Sequence, residues 1–169
     1  KVYPYLLKGL DINHPNHVWS IDITYIPVKT DWLYLVAIID WFSRYVLHWE
    51  MDDNMEIPFV LETSRKALEI STPEIMNSDQ GSHFTSPKYL DLFLEAGAKI
   101  SMDHRGRAYD NIFVERLWRT IKYEDVYPKA YDSPREARIG INHFLRYYNQ
   151  ERPHSSLGYR TPEEVYWGR

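Results

Sequence analysis

From Val18 to Ile26 the chain alternates, with Ile21, Ile23 and Tyr25 pointing one way and Ser20, Asp22 and Thr24 the other. That period of two predicts a strand. Trp32 to Ile39 is almost unbroken apolar sequence, as expected of a strand covered on both faces. Asp40-Trp41-Phe42-Ser43-Arg44 then turns, and Tyr45 to Trp49 returns, so the chain opens with three antiparallel strands. From Pro58 to Ile70 the period lengthens to that of a helix, gathering Val60, Leu61, Ser64, Ala67 and Leu68 on one face. Glu74–Ser78 is a short fourth strand, and Ala98–Met102 a fifth. Between them Ser86-Pro87 opens a helix that Gly97 closes. Ser133-Pro134-Arg135-Glu136 is a capping box for a helix to about Asn149, and Thr161-Pro162-Glu163-Glu164 repeats the signal near the C-terminus. Residues 1–16 hold two prolines and no clear period and are expected to be a leader or linker; residues 17–169 form one α/β core with a helical C-terminal extension.

The run Ala108 to Lys122 organises the remainder. Phe113, Val114, Leu117 and Ile121 form an apolar stripe, while Asn111, Glu115, Trp118, Arg119 and Lys122 fall on the opposite face. Asp110 is expected to be the N-cap. Alone, this face is an ordinary solvated one whose Glu115–Arg119 pair contributes a few tenths of a kcal/mol. Two further acids change that picture. Asp22 sits on the first strand, and Asp79 in the polar, glycine-bearing loop where the fourth strand ends. Thirty-five residues separate Asp79 from Glu115.

Composition sets the limits. The chain has 169 residues, enough to bury a sizeable core as one domain, and no cysteine, which excludes disulfides and cysteine-based zinc sites. No apolar run is long enough for a membrane helix, and a cytoplasmic protein is expected. The net charge of −4 argues against indiscriminate nucleic-acid binding. Its distribution is uneven: residues 1–100 carry eight Lys/Arg against fourteen Asp/Glu, and residues 101–169 carry twelve against ten. Arg105, Arg107, Arg116, Arg119 and Lys122 crowd around Glu115, where phosphate and metal together would call for cations beside carboxylates.

The strand Asp22, strand-end Asp79 and helical Glu115 reproduce the DD(35)E pattern. The ordered segments Trp19-Ser20-Ile21-Asp22-Ile23-Thr24-Tyr25-Ile26, Ile39-Asp40-Trp41-Phe42-Ser43-Arg44, Ser78-Asp79-Gln80-Gly81-Ser82 and Tyr109-Asp110-Asn111 with Glu115 extend it. So does Tyr148-Asn149-Gln150-Glu151-Arg152-Pro153-His154-Ser155-Ser156-Leu157-Gly158-Tyr159-Arg160-Thr161-Pro162. From about Pro15 to the C-terminus the chain resembles the second-frame (OrfB) transposase of the third insertion-sequence family, with a retroviral-integrase-like catalytic core.

The resemblance implies a ribonuclease-H-like fold: a five-stranded mixed sheet flanked by helices, with the first and fourth strands adjacent. It implies a metal-dependent DNA transposase that cleaves insertion-sequence ends to a 3′-OH and transfers that end to another phosphodiester. Asp22 would bridge two Mg²⁺ ions, with Mn²⁺ able to substitute, while Asp79 and Glu115 each complete one site; two such ions activate the attacking oxygen and stabilise the leaving one. Asn111, Arg119 and Lys122 match positions that touch DNA, though a wet helix face accounts equally for Lys122. Trp118 departs from the smaller polar residue of retroviral integrases. The partners implied are element ends and target DNA, with a homo-oligomer on DNA, in a bacterial cytoplasm at the nucleoid. A helical DNA-reading region is expected before this core. The alternatives are a nuclease of the same fold that only hydrolyses and a non-catalytic DNA-bridging or oligomerisation domain. Asp40 is expected to be a structural turn residue, His83 and His104 surface or packed residues, and Tyr148 core rather than nucleophile.

Overall fold

The computed structural model describes the backbone of all 169 residues and every side chain except those of Ala108 and Tyr109, so the Tyr109 part of the motif lies outside the described residues. Strands β1 (Val18–Pro27), β2 (Trp32–Asp40) and β3 (Val46–Asp52) form an antiparallel meander. Helix α1 (Ile57–Ile70) crosses to β4 (Ile75–Ser78), which pairs parallel to β1; α2 (Ser82–Thr85) and α3 (Pro87–Glu95) lead to β5 (Lys99–Met102), parallel to β4. The strand order is β3-β2-β1-β4-β5. This is the five-stranded mixed sheet of the ribonuclease-H-like fold.

Both faces of the sheet are covered, because alternate residues of β1 and β2 feed two separate cores. Trp19, Ile21, Val36 and Ile38 pack with α1 and α3, while Val18, Ile26, Leu35, Ala37 and Ile39 pack with α4 (Ile112–Ile121) and α6 (Pro134–Gln150). Burial on both sides explains the near-continuous apolar run of β2. The short helix α2 occupies a stretch expected as loop. Helix α4 also continues past its expected end, through a π-helical turn (Lys122–Val126) into α5 (Tyr127–Lys129). The π turn buries Asp125, whose carboxylate accepts a hydrogen bond from the Tyr131 hydroxyl at 2.7 Å and meets Lys129 at 2.8 Å.

The expected caps divide. Thr161 and Glu164 form a complete capping box for α7 (Pro162–Trp167). At α6 only half is present: Ser133 accepts from Glu136 N, but the Glu136 carboxylate turns to Asp132 N. Asp110 is not the N-cap of α4. A 3-10 turn (Ala108–Asn111) precedes that helix, and the buried Asp110 carboxylate accepts from the backbone N–H of His104 at 2.9 Å. The loop after β5, through the backbone and ring of His104, takes the acid instead.

Residues 1–16 carry no strand or helix, yet they lie against β5 and the core. Leu7 is buried, Leu6 N–H donates to Ser101 Oγ at 3.0 Å, and Met102 N–H donates to Pro4 O at 3.3 Å. On the far side of the sheet, Asn149 of α6 offers its amide to Val46: Val46 N–H donates to Asn149 Oδ1 at 2.9 Å, and Asn149 Nδ2 donates to Val46 O at 3.0 Å.

Asp40 is fully buried and holds the turn after β2. Its carboxylate accepts from Asn16 N at 2.8 Å, Ser43 N at 2.9 Å and Ser43 Oγ at 2.6 Å. Burial raises its pKa, and those three donors oppose the rise. An amide in its place would turn an N–H toward a donor. Asp40→Asn is therefore expected to destabilise the fold by about 1–3 kcal/mol, the cost of one buried donor left unmatched. Urea denaturation at neutral pH measures it, and an unchanged midpoint would refute this account.

Candidate active site

Asp22 lies on the β1 face that α4 covers, two residues past Ser20. Since Ser20 pairs with Asn77 across the parallel β1–β4 ladder, Asp79 follows at the same level where β4 ends. Asp79 is held by a tight local turn in which Gly81 N–H donates to its Oδ1 at 2.7 Å. A Cβ on Gly81 would stand 2.8 Å from that oxygen, so only glycine leaves the carboxylate in place. Glu115 projects from the first turn of α4, whose Val114, Leu117 and Ile121 are buried against the sheet. All three carboxylates line one cleft of about 460 Å³, with Asn111 and Asp103.

Trp118 departs from the expectation of a polar outer face. It is buried, it packs in the core beside Leu117, and its indole Nε1–H donates to Asp22 Oδ2 at 3.1 Å. An apolar ring with one donor at its edge can serve the core and the site at once.

Burial, reinforced by concentrated negative charge, governs the electrostatics. Burial raises the Asp22 pKa to about 8, Asp79 and to a lesser extent Glu115 add repulsion, and the Trp118 hydrogen bond opposes them. Burial also raises Glu115, which is close enough to share a proton with Asp22, while Lys122 acts in the opposite direction. Asp103, in the loop after β5, is raised to about 7 by burial, with Asp110, Asp79 and Glu115 contributing repulsion. It is tied to the end of β4: Asn77 Nδ2 donates to its carboxylate at 2.8 Å and Gln80 Nε2 to its carbonyl at 3.0 Å.

The expected DNA contacts are spread around this cleft. Asn111 lines it, buried, with Oδ1 lacking a hydrogen-bond partner. Lys122 Nζ donates to Thr24 Oγ1 at 2.9 Å, on the same β1 face as Asp22. Arg119 is exposed, its guanidinium 5.5 Å from the centre of the Tyr123 ring. His104 lines the cleft and contacts Asp110, and His83 contacts the Met55 carbonyl at 2.7 Å. Trp118 and Asp103 are the site residues that sequence reasoning did not select. For Trp118 the available signal was a lone large ring on an otherwise charged face; for Asp103 there was an acid directly after a strand beside the Asp79 strand.

The donor set is composed of hard oxygens, Arg105 and Arg107 line the same cleft, and the orphaned amide oxygen of Asn111 adjoins it. That chemistry fits a divalent cation of the magnesium kind. Among the described residues, no group of three or more His, Cys, Asp or Glu side chains is placed so that it could hold a metal ion.

A ribonuclease-H-like sheet that brings carboxylates from β1, the end of β4 and α4 into one cleft defines a class of polynucleotide-processing cores. Residues 12–108 and 96–162 each match the integrase core domain, and the chain belongs to that family. It is 36% identical over 154 residues to the transposase for insertion sequence element IS904 of Lactococcus lactis, covering 89% of this chain and 61% of that protein. It is 30% identical to the transposase for IS629 of Shigella sonnei, covering 89% of this chain and 52% of that one. The chain thus spans only about half to three-fifths of the transposases it matches. In fold it is similar to the HTLV-2 integrase catalytic core domain, a structure in complex with magnesium, with a TM-score of 0.73 at 22% identity over 90% of this chain and 97% of that one. An intasome of simian T-cell lymphotropic virus gives a TM-score of 0.77 at 17% identity, covering 98% of this chain and 57% of that one.

The raised Asp22 pKa has a consequence for stability without metal. The group ionises near 3.8 when unfolded and near 8 when folded, so the folded state holds an extra proton between those values. Its stabilising contribution is present below the lower value and is lost as pH rises toward the upper one. In a chelator, the melting temperature of the parent should therefore fall relative to Asp22→Asn across that window. Parallel pH profiles for the two proteins would contradict the assignment.

Proposed function

We propose that this chain is the catalytic core of an insertion-sequence DNA transposase, with Asp22, Asp79 and Glu115 as its metal-binding catalytic residues. The observation that carries the proposal is the meeting of three carboxylates, from three separate elements, in one cleft whose lining also includes Arg105 and Arg107, cations suited to a phosphate beside the metal. Asp22 would serve two Mg²⁺ ions, with Asp79 and Glu115 each completing one set; Mn²⁺ would substitute. Bound there, the metal supplies positive charge that acidifies the attacking hydroxyl and stabilises the phosphoryl-transfer transition state.

The residues of the chain do the positioning. Trp118 fixes one oxygen of Asp22, and the Gly81 amide fixes one oxygen of Asp79. The rigid frame of α4 presents Glu115, with its apolar stripe anchored in the core. The buried Asn111 amide is available at the cleft for a terminal nucleotide, and Arg119 and Lys122 for phosphates. No side chain becomes covalently attached. Water first frees a 3′-OH at the element end, and that 3′-OH then attacks a phosphodiester near the element's other end, giving a branched and then a circular product. The core would act as a homo-oligomer assembled on DNA, in the cytoplasm of a bacterium at the nucleoid.

The full-length protein, incubated with labelled element ends and Mg²⁺, should form a joined strand-transfer product. Hydrolysis without joining would favour the nuclease reading, and absence of metal-dependent nicking the bridging one. Asp22→Asn, Asp79→Asn and Glu115→Gln should each fold and bind DNA but show no detectable cleavage; near-parental cleavage removes that residue from the site. In this core, divalent metal should raise stability by about 2.7 kcal/mol at a hundred-fold excess over Kd. That rise should largely vanish in Asp22→Asn and persist in Asp40→Asn, as read by thermal melts with and without metal.

Arg119→Ala and Lys122→Ala should each flatten the salt dependence of DNA binding by about one counterion. Unchanged slopes in both would return them to a solvated helix face.

A further inference from the structure

Beyond Glu115 along α4, four arginines converge on a second concavity of about 220 Å³ that shares no lining residue with the carboxylate cleft. Arg116 and Arg119 reach it from α4, Arg44 from the turn after β2, and Arg152 from the segment after α6. Thr120 and His154 add polar groups to its wall.

Arg44 and Arg116 are held in place by contacts other than counter-charge. Arg44 donates through Nη1 to the Trp41 carbonyl, and its guanidinium lies 3.8 Å from the centre of the Phe113 ring, which Arg116 faces from 5.7 Å. Among the described residues, no carboxylate is in ion-pair contact with Arg44, Arg116 or Arg119. Arg152 alone is paired, with Glu124 at 2.6 Å. Burial lowers the Arg44 pKa and the nearby Arg116 adds to the effect. Burial, then Arg152 and Arg44, hold His154 down to about 4, so its ring is neutral at pH 7 and can donate or accept. Like charges gathered in a concavity with hydroxyl and imidazole partners are complementary to a multivalent oxyanion.

We propose that this pocket is a phosphate subsite that takes a non-scissile phosphate of the DNA backbone. The proposal rests on the transposase reading. Geometry favours DNA over a free anion, because Arg119 stands one helical turn, roughly 6 Å of rise, beyond Glu115. A strand following α4 would then pass from the carboxylates to the arginines. Inorganic phosphate shares the chemistry and is the alternative source.

Two variants, Arg116→Ala and Arg152→Gln, test the pocket, with Arg65→Ala on the exposed side of α1 as control. Binding of a short duplex is measured against salt, and thermal melts confirm that each variant is folded. Each pocket variant should flatten the plot of log Kobs against log [salt] by about 0.9, and Arg65→Ala should not. Neutral methylphosphonates placed singly along one strand should locate a position, displaced from the cleaved bond, where the affinity loss in the parent disappears in Arg116→Ala. Unchanged slopes in both pocket variants would overturn the proposal. So would a pocket-dependent rise in melting temperature with inorganic phosphate, at constant ionic strength, when the DNA slopes stay unchanged. A change in sedimentation without DNA in Arg116→Ala would assign the pocket to an acidic surface of a second copy and also overturn it. The outcome is separable from the transposase reading: flattened slopes with fully active Asp22→Asn would sink the catalytic assignment alone, and unchanged slopes with inactive Asp22→Asn would sink the pocket alone.

Discussion

The parallel pairing of β1 with β4 is the constraint on which the rest of the molecule depends. Val18 lies opposite Ile75 and Ser20 opposite Asn77, and two more residues along each strand lead to Asp22 and Asp79. The two acids differ in setting because the strands differ in length. β1 continues to Pro27 with β2 as its partner, so Asp22 stays within a pleated, desolvated face; β4 stops at Ser78, so Asp79 emerges into a loop. Crevices beyond the carboxyl ends of parallel strands are natural sites in open α/β sheets. A slip of one residue between β1 and β4 would move Asp22 to the opposite face of the sheet, beneath α1 and α3.

Helix α4 then separates two electrostatic territories. Glu115 faces the acidic cleft, and Arg116, Arg119 and Thr120 line the cationic pocket. The net charge of −4 conceals this division, because charge sums carry no direction. What holds the acids together is packing. Val114, Leu117, Trp118 and Ile121 bury α4 on the sheet, and that burial offsets the repulsion among the carboxylates.

The strands were legible because their periods were clean: alternation in β1, a continuous apolar run in β2, and short apolar segments ending in polar loops for β4 and β5. The approximate limits of α1, α3, α6 and α7 were legible from proline, glycine and hydroxyl signals at their ends. Other features were hidden for identifiable reasons. A helical wheel counts Trp118 with its charged neighbours, whereas its ring turns inward and only its N–H reaches the site. Asp103 has meaning only through Asn77 and Gln80, more than twenty residues away in the chain. Asp110 had the composition of a cap, but the competition for its oxygens was decided by the His104 loop. The π turn after α4 buries Asp125 against Tyr131 and Lys129, an arrangement that no apolar period announces.

The amide of Asn149 on Val46, and residues 1–16 lying on β5, have a consequence beyond local packing. β3 and β5 are the outer strands of the sheet, where unpaired backbone groups would otherwise recruit strands from other molecules. One border is occupied by a side chain that imitates a neighbouring peptide unit, and the other by an irregular segment contributing only a few hydrogen bonds. The two borders are therefore covered differently: α6 would have to leave the sheet to uncover β3, whereas β5 is bordered by an irregular segment. A helix anchored in the core covers one border and hydrogen bonds from residues 1–16 the other, so both outer strands are blunted against intermolecular strand addition.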